Sequence, residues 1–326
     1  MPERASLLQS VQVGIESTAG TAVAANKKLA ATSIEPSIKS NVNNFKPMGQ
    51  KFTTLTAIGK EWVEAKVSGQ LCYTDWAYLA ASGMQYTAPV QQGATAAYKY
   101  VNTPGQSAED TVKTLTVEVG GSARAHKFAY GLVTGLGYTI DREKAEIKGT
   151  LIGQRITDGI TMTSSPTQIA LQPVLPSQVD IFADTASAGL GTTRLLRVLS
   201  IDFENNDRFN PVWPIDSSQT SFAAHVETEP KSTFKVMMEA DSNGMAMLTN
   251  LRAGASVFFR VQATGPLIAT PYTYLWKHDI CAQVTDVGDF SDKDGVYAIE
   301  WTFASVYDAT WGKAFTFETT NALTAL

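Results

Sequence analysis

The chain has 326 residues, more than a single core usually organises, and a prior of roughly 100–200 residues per domain gives two domains. Its 26 Lys and Arg against 31 Asp and Glu leave a net charge of −5, and no basic run exceeds Asn26-Lys27-Lys28, which argues against a protein that grips nucleic acid through clustered cations. The start, MPERASLLQS, is charged and lacks an apolar h-region, so no secretory signal is expected, and no run approaches the ~18–20 apolar residues of a membrane helix.

Residues 1–31 read as an extended N-terminal arm, rich in Gly, Thr and Ala, with a turn at Gly20-Thr21. A strand is expected over Thr32–Ile38. Asn41–Gly59 then reads as a long polar loop studded with Phe45, Met48, Phe52 and Leu55; loops of that length inside a compact domain usually have a task. Trp62–Tyr73 alternates as a strand, and Thr74 or Asp75 is positioned to cap a short helix, Trp76–Ser82, ended by Gly83. Tyr86–Asp110 reads as a second loop and Thr114–Val119 as a strand.

His126–Ile156 is the strongest signal. Phe128, Tyr130, Leu132, Leu136, Tyr138 and Ile140 recur at every second position, with Gly131, Val133, Gly135 and Gly137 between them, and Asp141–Lys144 reverses the chain into a second alternating strand. A face made of Gly and Val predicts close approach of another backbone or subunit. Asp158–Leu195 is Pro-rich and reads as a connection, with a strand at Val179–Phe182. Strands then follow at Leu195–Phe203, Thr233–Met238, Val257–Ala263, Tyr274–Val287, Val296–Val306 and Ala314–Glu318. Between them lie a long loop, Asn205–Pro230, carrying Phe209, Val212, Trp213 and Ile215, and a short helix, Gly244–Leu251, with Asn243 as its cap.

The two halves echo one another. Val133-Thr134-x-x-Gly137 matches Val284-Thr285-x-x-Gly288, Ile147-x-x-Thr150 matches Ile299-x-x-Thr302 one inserted residue later, Lys66-Val67 matches Lys235-Val236, and Ser33-Ile34-Glu35 matches Ser200-Ile201-Asp202, all in one order. The expected organisation is an arm over 1–31, a first β domain over 32–160, a linker over 161–194 and a second β domain over 195–326, each domain holding one short helix.

A search for chemistry returns little. His126, His225 and His278 are dispersed and belong to no HExxH or Cys/His cluster. Cys72 and Cys281 have neither metal-ligand nor redox spacing and read as buried small hydrophobes in a reducing compartment. Asp286–Asp294 fails as a calcium loop, because Gly295 at its sixth position would demand Phe290 and Trp301 as ligands. Ala188–Thr193 lacks the lysine of a phosphate loop, and no G-x-S-x-G elbow occurs. Glu61 and Glu64 fall on opposite faces of a strand. The expectation is a protein with no catalytic residue, no metal and no cofactor.

The arm QVGIESTAGTAVAA, the following strand, the segment ending Ile58-Gly59-Lys60-Glu61, the Val67-Ser68-Gly69 strand and the helix Asp75–Gly83 together resemble the tail tube (major tail) proteins of long-tailed bacteriophages. That resemblance covers the first half directly and the second only through the repeat. It implies a mainly β fold of two tandem sandwich or barrel domains whose sheets join neighbouring subunits around a channel. Tubes of this family are stacked hexameric rings, so a duplicated chain would form homotrimeric rings. It also implies a place in the virion tail after assembly in the host cytoplasm, with tape-measure, terminator and tail-tip proteins as partners, viral DNA passing through without tight binding, and no membrane insertion. In this reading Phe45, Met48, Phe52, Leu55, Phe209, Val212, Trp213 and Ile215, with the N-terminal arm, make ring-to-ring contacts. Gly131, Val133, Gly135, Gly137, Thr285, Val287 and Thr302 lie on hairpins that build the channel wall. The alternatives are a tail-completion or injection-system ring that does not polymerise, and a carbohydrate-binding sandwich, which would need exposed aromatics beside a carboxylate pair.

Overall fold

A computed structural model of the protein describes residues 8–121 and 123–326, with Asn243 described by its backbone alone. The chain is mainly β, with two short α-helices. The first half runs β1 (Ser10–Ile15), β2 (Lys27–Lys28), β3 (Thr32–Phe45), β4 (Leu55–Gln70), α1 (Asp75–Gly83), β5 (Val90–Gln91), β6 (Tyr98–Asn102), β7 (Leu115–Gly121), β8 (Arg124–Asp141), β9 (Ala145–Gly153), β10 (Thr157–Ile160) and β11 (Thr167–Gln168). The second runs β12 (Val179–Asp184), β13 (Val198–Asn206), β14 (Phe209–Val212), β15 (Ala224–Glu227), β16 (Lys231–Glu239), α2 (Ser242–Ala253), β17 (Ser256–Ala269), β18 (Tyr272–Val287), β19 (Ser291–Lys293), β20 (Val296–Ser305) and β21 (Phe315–Asn321). Among the described residues, no helix is long and apolar enough to cross a membrane.

Alternation decides which face of each strand is buried. In β4, Val63, Ala65 and Val67 are buried while Glu64 and Lys66 are exposed; in β16, Phe234, Val236 and Met238 are buried. Four strands lie side by side as β3-β4-β9-β8 and four more as β13-β16-β20-β18. The registers correspond. Ile34 opposite Val67, Val67 opposite Gly149 and Val133 opposite Leu151 have as counterparts Ile201 opposite Val236, Val236 opposite Trp301 and Val284 opposite Phe303. Even the slip in register recurs, between Val133 and Gly135 and between Val284 and Asp286. The two quartets are joined edge to edge, because the C-terminal half of β8 pairs with β13 from Ser200 opposite Asp141 to Asn205 opposite Leu136.

Each long strand also serves a second layer. The N-terminal half of β8 pairs with β7 and β10, and β1 borders β7; the N-terminal half of β18 pairs with β17 and β21, and β12 borders β17. The stretch 161–194 is therefore more than a linker: β11 pairs with β2, Val174 N–H donates to the carbonyl of Leu71 at 2.7 Å, and β12 completes the second half's own layer. β6, from the expected loop Tyr86–Asp110, adds to β21 of the other half.

One cluster of buried apolar side chains runs through both halves, so they are not separate globules. At its centre the Trp76 ring from α1 meets Trp276 at 5.6 Å, Phe317 at 4.9 Å and Tyr138 at 6.3 Å. All nine residues of α1 are buried. Its first turn is not closed by a side-chain cap: Thr74 Oγ1 donates instead to Ala170 O at 3.0 Å. The cap expected of Asn243 lies outside the described side chains, and Gly244 N–H donates to Asp241 Oδ1 at 2.9 Å, as an N-cap aspartate would accept it.

Alternation along β8 is not continuous. Tyr130 has φ of +55°, and the strand's register shifts between Leu115 and Val117 on its partner and between Val133 and Gly135 on itself. Those bulges rotate the chain, so Phe128, Val133, Leu136, Tyr138 and Ile140 enter the main core while Tyr130 and Leu132 join a smaller cluster with Phe209 and Phe222.

Candidate assembly surfaces

The segment expected as a loop over Asn41–Gly59 is mostly strand. β3 and β4 pair from Thr32 opposite Gly69 to Phe45 opposite Leu55, so only the tip between Phe45 and Leu55 is unpaired. From Ser37 to Gly59 every residue is exposed, which makes this a projecting hairpin without a layer on either face. It carries Ile38, Val42, Phe45, Met48, Phe52, Leu55 and Ile58, all exposed; Met48 is 102 % and Phe52 80 % accessible. Its opposed pairs Val42 with Ile58 and Phe45 with Leu55 fall on opposite faces, so apolar side chains are bare on both sides of the hairpin, a feature that makes it a candidate contact surface.

The corresponding part of the second half folds back. Asp207, with φ of +57°, turns the chain out of β13, and β14 and β15 form a separate two-stranded ribbon. Phe209 is only 3 % accessible, against Tyr130, Leu132 and Phe222, so it is core and offers nothing to a neighbouring ring. Trp213 lies partly covered between Trp62 at 5.1 Å and Phe222 at 5.7 Å. Val212 remains exposed and Ile215 fully so. A buried ion cluster clamps the ribbon: the Arg208 guanidinium pairs with Asp110 and, at 2.9 Å, with Glu227, while its Nε donates to Gly83 O at 3.3 Å. Nothing in the spacing of Asp110, Arg208 and Glu227 announces this cluster.

The arm is likewise engaged with its own chain over its described residues, 8–31. β1 pairs along β7. The buried Glu16 carboxylate accepts hydrogen bonds from Gly20 N, Thr114 Oγ1, Thr116 Oγ1 and Tyr130 N at 2.7–2.9 Å. Asp75, also buried, accepts from Ala30, Ala31 and Thr32 N–H and from the Thr32 hydroxyl at 2.8–3.2 Å. Much of this stretch is thus held down on its own chain rather than free to reach a neighbour; residues 1–7 lie outside the description.

The small face of β8 is covered by the chain itself. A methyl on Gly137 would collide with the Phe203 carbonyl, one on Gly131 would lie 2.8 Å from Leu115 O, and Gly135 abuts Asn206 and Thr150. Val133 is fully buried against Gly83. Gly135 and Gly137 therefore pack at the junction of the two quartets, Gly131 against β7 and Val133 against α1, so all four are covered by the chain itself. Thr285 is exposed, and Val287 and Thr302 are half-buried, at the far edge of the second quartet.

What the sheet exposes on the face opposite its core is charge. Lys148 Nζ lies 2.5 Å from Asp202 and 2.6 Å from Glu204 across the junction, Lys235 lies 3.2 Å from Glu300, and Lys39 lies 3.7 Å from Glu64. Partial burial pulls the Lys148 ammonium down, but the hydrogen bonds and charge of the two carboxylates outweigh it and hold the group above its ordinary value. Beside this face a groove of about 870 Å³ runs between Glu35, Lys39, Glu64 and Lys66 on one side and Asn206, Asp207 and Lys231 on the other.

Both lateral edges of the eight-stranded array are open among the described strands. β3 pairs only with β4, and residues Val284–Val287 of β18 pair only with β20. Each histidine has its own setting. His278 is buried with Nδ1 2.8 Å from Tyr138 Oη, His225 Nδ1 lies 3.0 Å from Tyr130 Oη, and His126 sits at the surface beside Asp158. Among the described residues no group of three or more His, Cys, Asp and Glu is arranged to hold a metal ion. No protein-family model matches the chain, and no curated protein matches it in sequence.

Proposed function

We propose that the chain is a structural protein that associates edge to edge into rings and stacks them into a tube of the phage-tail kind, a conduit for DNA. One observation carries this reading: two four-stranded quartets with corresponding registers are already joined through β8 and β13, and the array ends in the counterparts of those same two strands, β18 and β3. An open, regular edge is a hazard unless another strand covers it, and repeating the internal join between copies leaves no edge uncovered. With two quartets per chain, three copies give the sixfold repeat of a tail-tube ring. The charged face, with its paired lysines and carboxylates and a chain net charge of −5, suits a wall past which DNA slides without sticking. The projecting β3–β4 hairpin supplies ring-to-ring contacts. Tape-measure, terminator and tail-tip proteins are the partners this role requires, and the virion tail its location.

Concentrating the purified chain and examining it by negative-stain electron microscopy and analytical ultracentrifugation tests the reading. Tubes are the expected result. Discrete rings that never stack point to a tail-completion or injection-system ring, and a monomer at every concentration overturns the proposal.

A further inference from the structure

We infer that successive copies pair in one register: β3 of one copy runs antiparallel to Val284–Gly288 of the next, with Ser37 opposite Gly288, Ile38 opposite Val287 and Lys39 opposite Asp286. This inference rests on the ring-forming reading and specifies the interface it needs.

The internal junction is the template. Along β18, Asp286 opposite Thr302 and Val287 opposite Trp301 hold the places that Gly135 opposite Thr150 and Leu136 opposite Gly149 hold along β8. Gly288, whose N–H donates to Glu300 O at 2.8 Å, holds the place of Gly137 opposite Lys148. Along β3, Ser37 opposite Glu64 and Ile38 opposite Val63 hold the places of Glu204 opposite Thr233 and Asn205 opposite Ser232. Within the chain Glu204 faces Gly137 and Asn205 faces Leu136. Carrying each residue to its counterpart sets Ser37 against Gly288 and Ile38 against Val287, and the next step sets Lys39 against Asp286.

The side chains at those positions fit the assignment. Ile38 lies on the same face of β3 as the buried Ile34 yet is 60 % accessible, and Val287 beside Trp301 is half-buried; their counterparts Asn205 and Leu136 are both buried by the internal join. Pairing would close the core over Ile38 and Val287. On the opposite face Lys39 and the exposed Asp286 carry opposite charge, the favourable arrangement for residues directly across a ladder. Gly288 opposite Ser37 repeats a glycine in the row where Gly137 lets Lys148 reach across to Glu204. The contact uses two different surfaces, so it is head-to-tail and generates a ring when its rotation closes.

Cysteine pairs read the register directly, since directly opposed residues of antiparallel strands have Cα atoms about 4.5–5.5 Å apart, within disulfide reach. Ile38→Cys with Val287→Cys in one chain, oxidised under assembly conditions, is expected to give covalent multimers on a non-reducing gel. The two-residue slip, Ser40→Cys with Val287→Cys, is expected to give less than about a tenth as much, and the unsubstituted chain, whose Cys72 and Cys281 are buried, none. In parallel, Lys39→Glu and Asp286→Lys should each raise the concentration needed for assembly about tenfold or more, and the double exchange should restore it, with melting temperature unchanged throughout. Rings that form but cross-link preferentially in the slipped pair, or charge variants without effect, overturn the register and leave the ring-forming reading standing. An unsubstituted chain that stays monomeric, with no cross-link in either pair, overturns both.

Discussion

Removing the apolar tip of the β3–β4 hairpin should separate assembly from folding. Met48 and Phe52 are 102 % and 80 % accessible, so Met48→Ser with Phe52→Ser removes almost nothing that the folded chain buries. Stability should stay within about 0.5 kcal/mol of the parent, a shift of no more than about 2 °C in Tm. At an interface each of these side chains is worth roughly 1.5–3 kcal/mol on full burial, hence roughly 3–6 kcal/mol for the pair. At 1.4 kcal/mol per tenfold, that is a loss of about 10²–10⁴ in the constant for ring stacking. Sedimentation velocity over a concentration series, with electron microscopy of the same samples and a thermal melt, measures both halves of the argument. Tubes of parental length at the parental concentration refute the assignment of stacking to this hairpin. A large fall in Tm refutes the claim that the tip lies outside the core.

Three further outcomes follow from buried groups. Arg208→Met strips Asp110 and Glu227 of their counter-charge and should cost about 3–5 kcal/mol in urea unfolding, whereas a surface exchange such as Lys51→Met should cost almost nothing. Gly137→Ala should destabilise by more than 1 kcal/mol, because the methyl meets the Phe203 carbonyl at the quartet junction; Gly49→Ala at the open hairpin tip should stay below that despite its φ of +81°. Burial holds the His278 imidazole well below its ordinary 6.5, so below that pH the unfolded chain takes up a proton that the folded chain refuses. Stability should therefore fall as pH drops through about 6.5, and His278→Leu should flatten that limb in chemical denaturation at pH 5–8, even if it lowers the plateau.

Much of the sheet was legible because its strands are covered on one face. β4, β9 and β16 alternate cleanly, and the recurring short motifs fall on strands whose registers correspond. The projecting hairpin reads as a loop for the opposite reason: a strand bare on both faces has no apolar period to show, and Asn41, Asn43, Asn44, Lys51 and Thr53 look like loop composition. Face changes at Tyr130 and Val133 were invisible because a bulge adds a residue without altering composition. The polar neighbours of Phe209 point it to the surface, and only the left-handed turn at Asp207 returns it to the core. Asp75 looked like a helix cap and is instead the acceptor that holds Ala30–Thr32, a long-range role that no local pattern encodes.

The strand β6 has a consequence for how the chain is made. It comes from the first half yet completes its pairing only on β21, and the Tyr100 hydroxyl donates to Leu323 O across 223 residues of sequence. Ribosomes add about 5–20 residues per second, so Tyr100 waits roughly 10–45 s for that partner, and Trp76 waits as long for Phe317. Until then the nascent first half carries an uncovered tryptophan and unpaired strands. Emergence of β21, rather than of the first half alone, is therefore the moment at which the fold can close, and a protein truncated between the halves should require a chaperone to stay in solution rather than fold by itself.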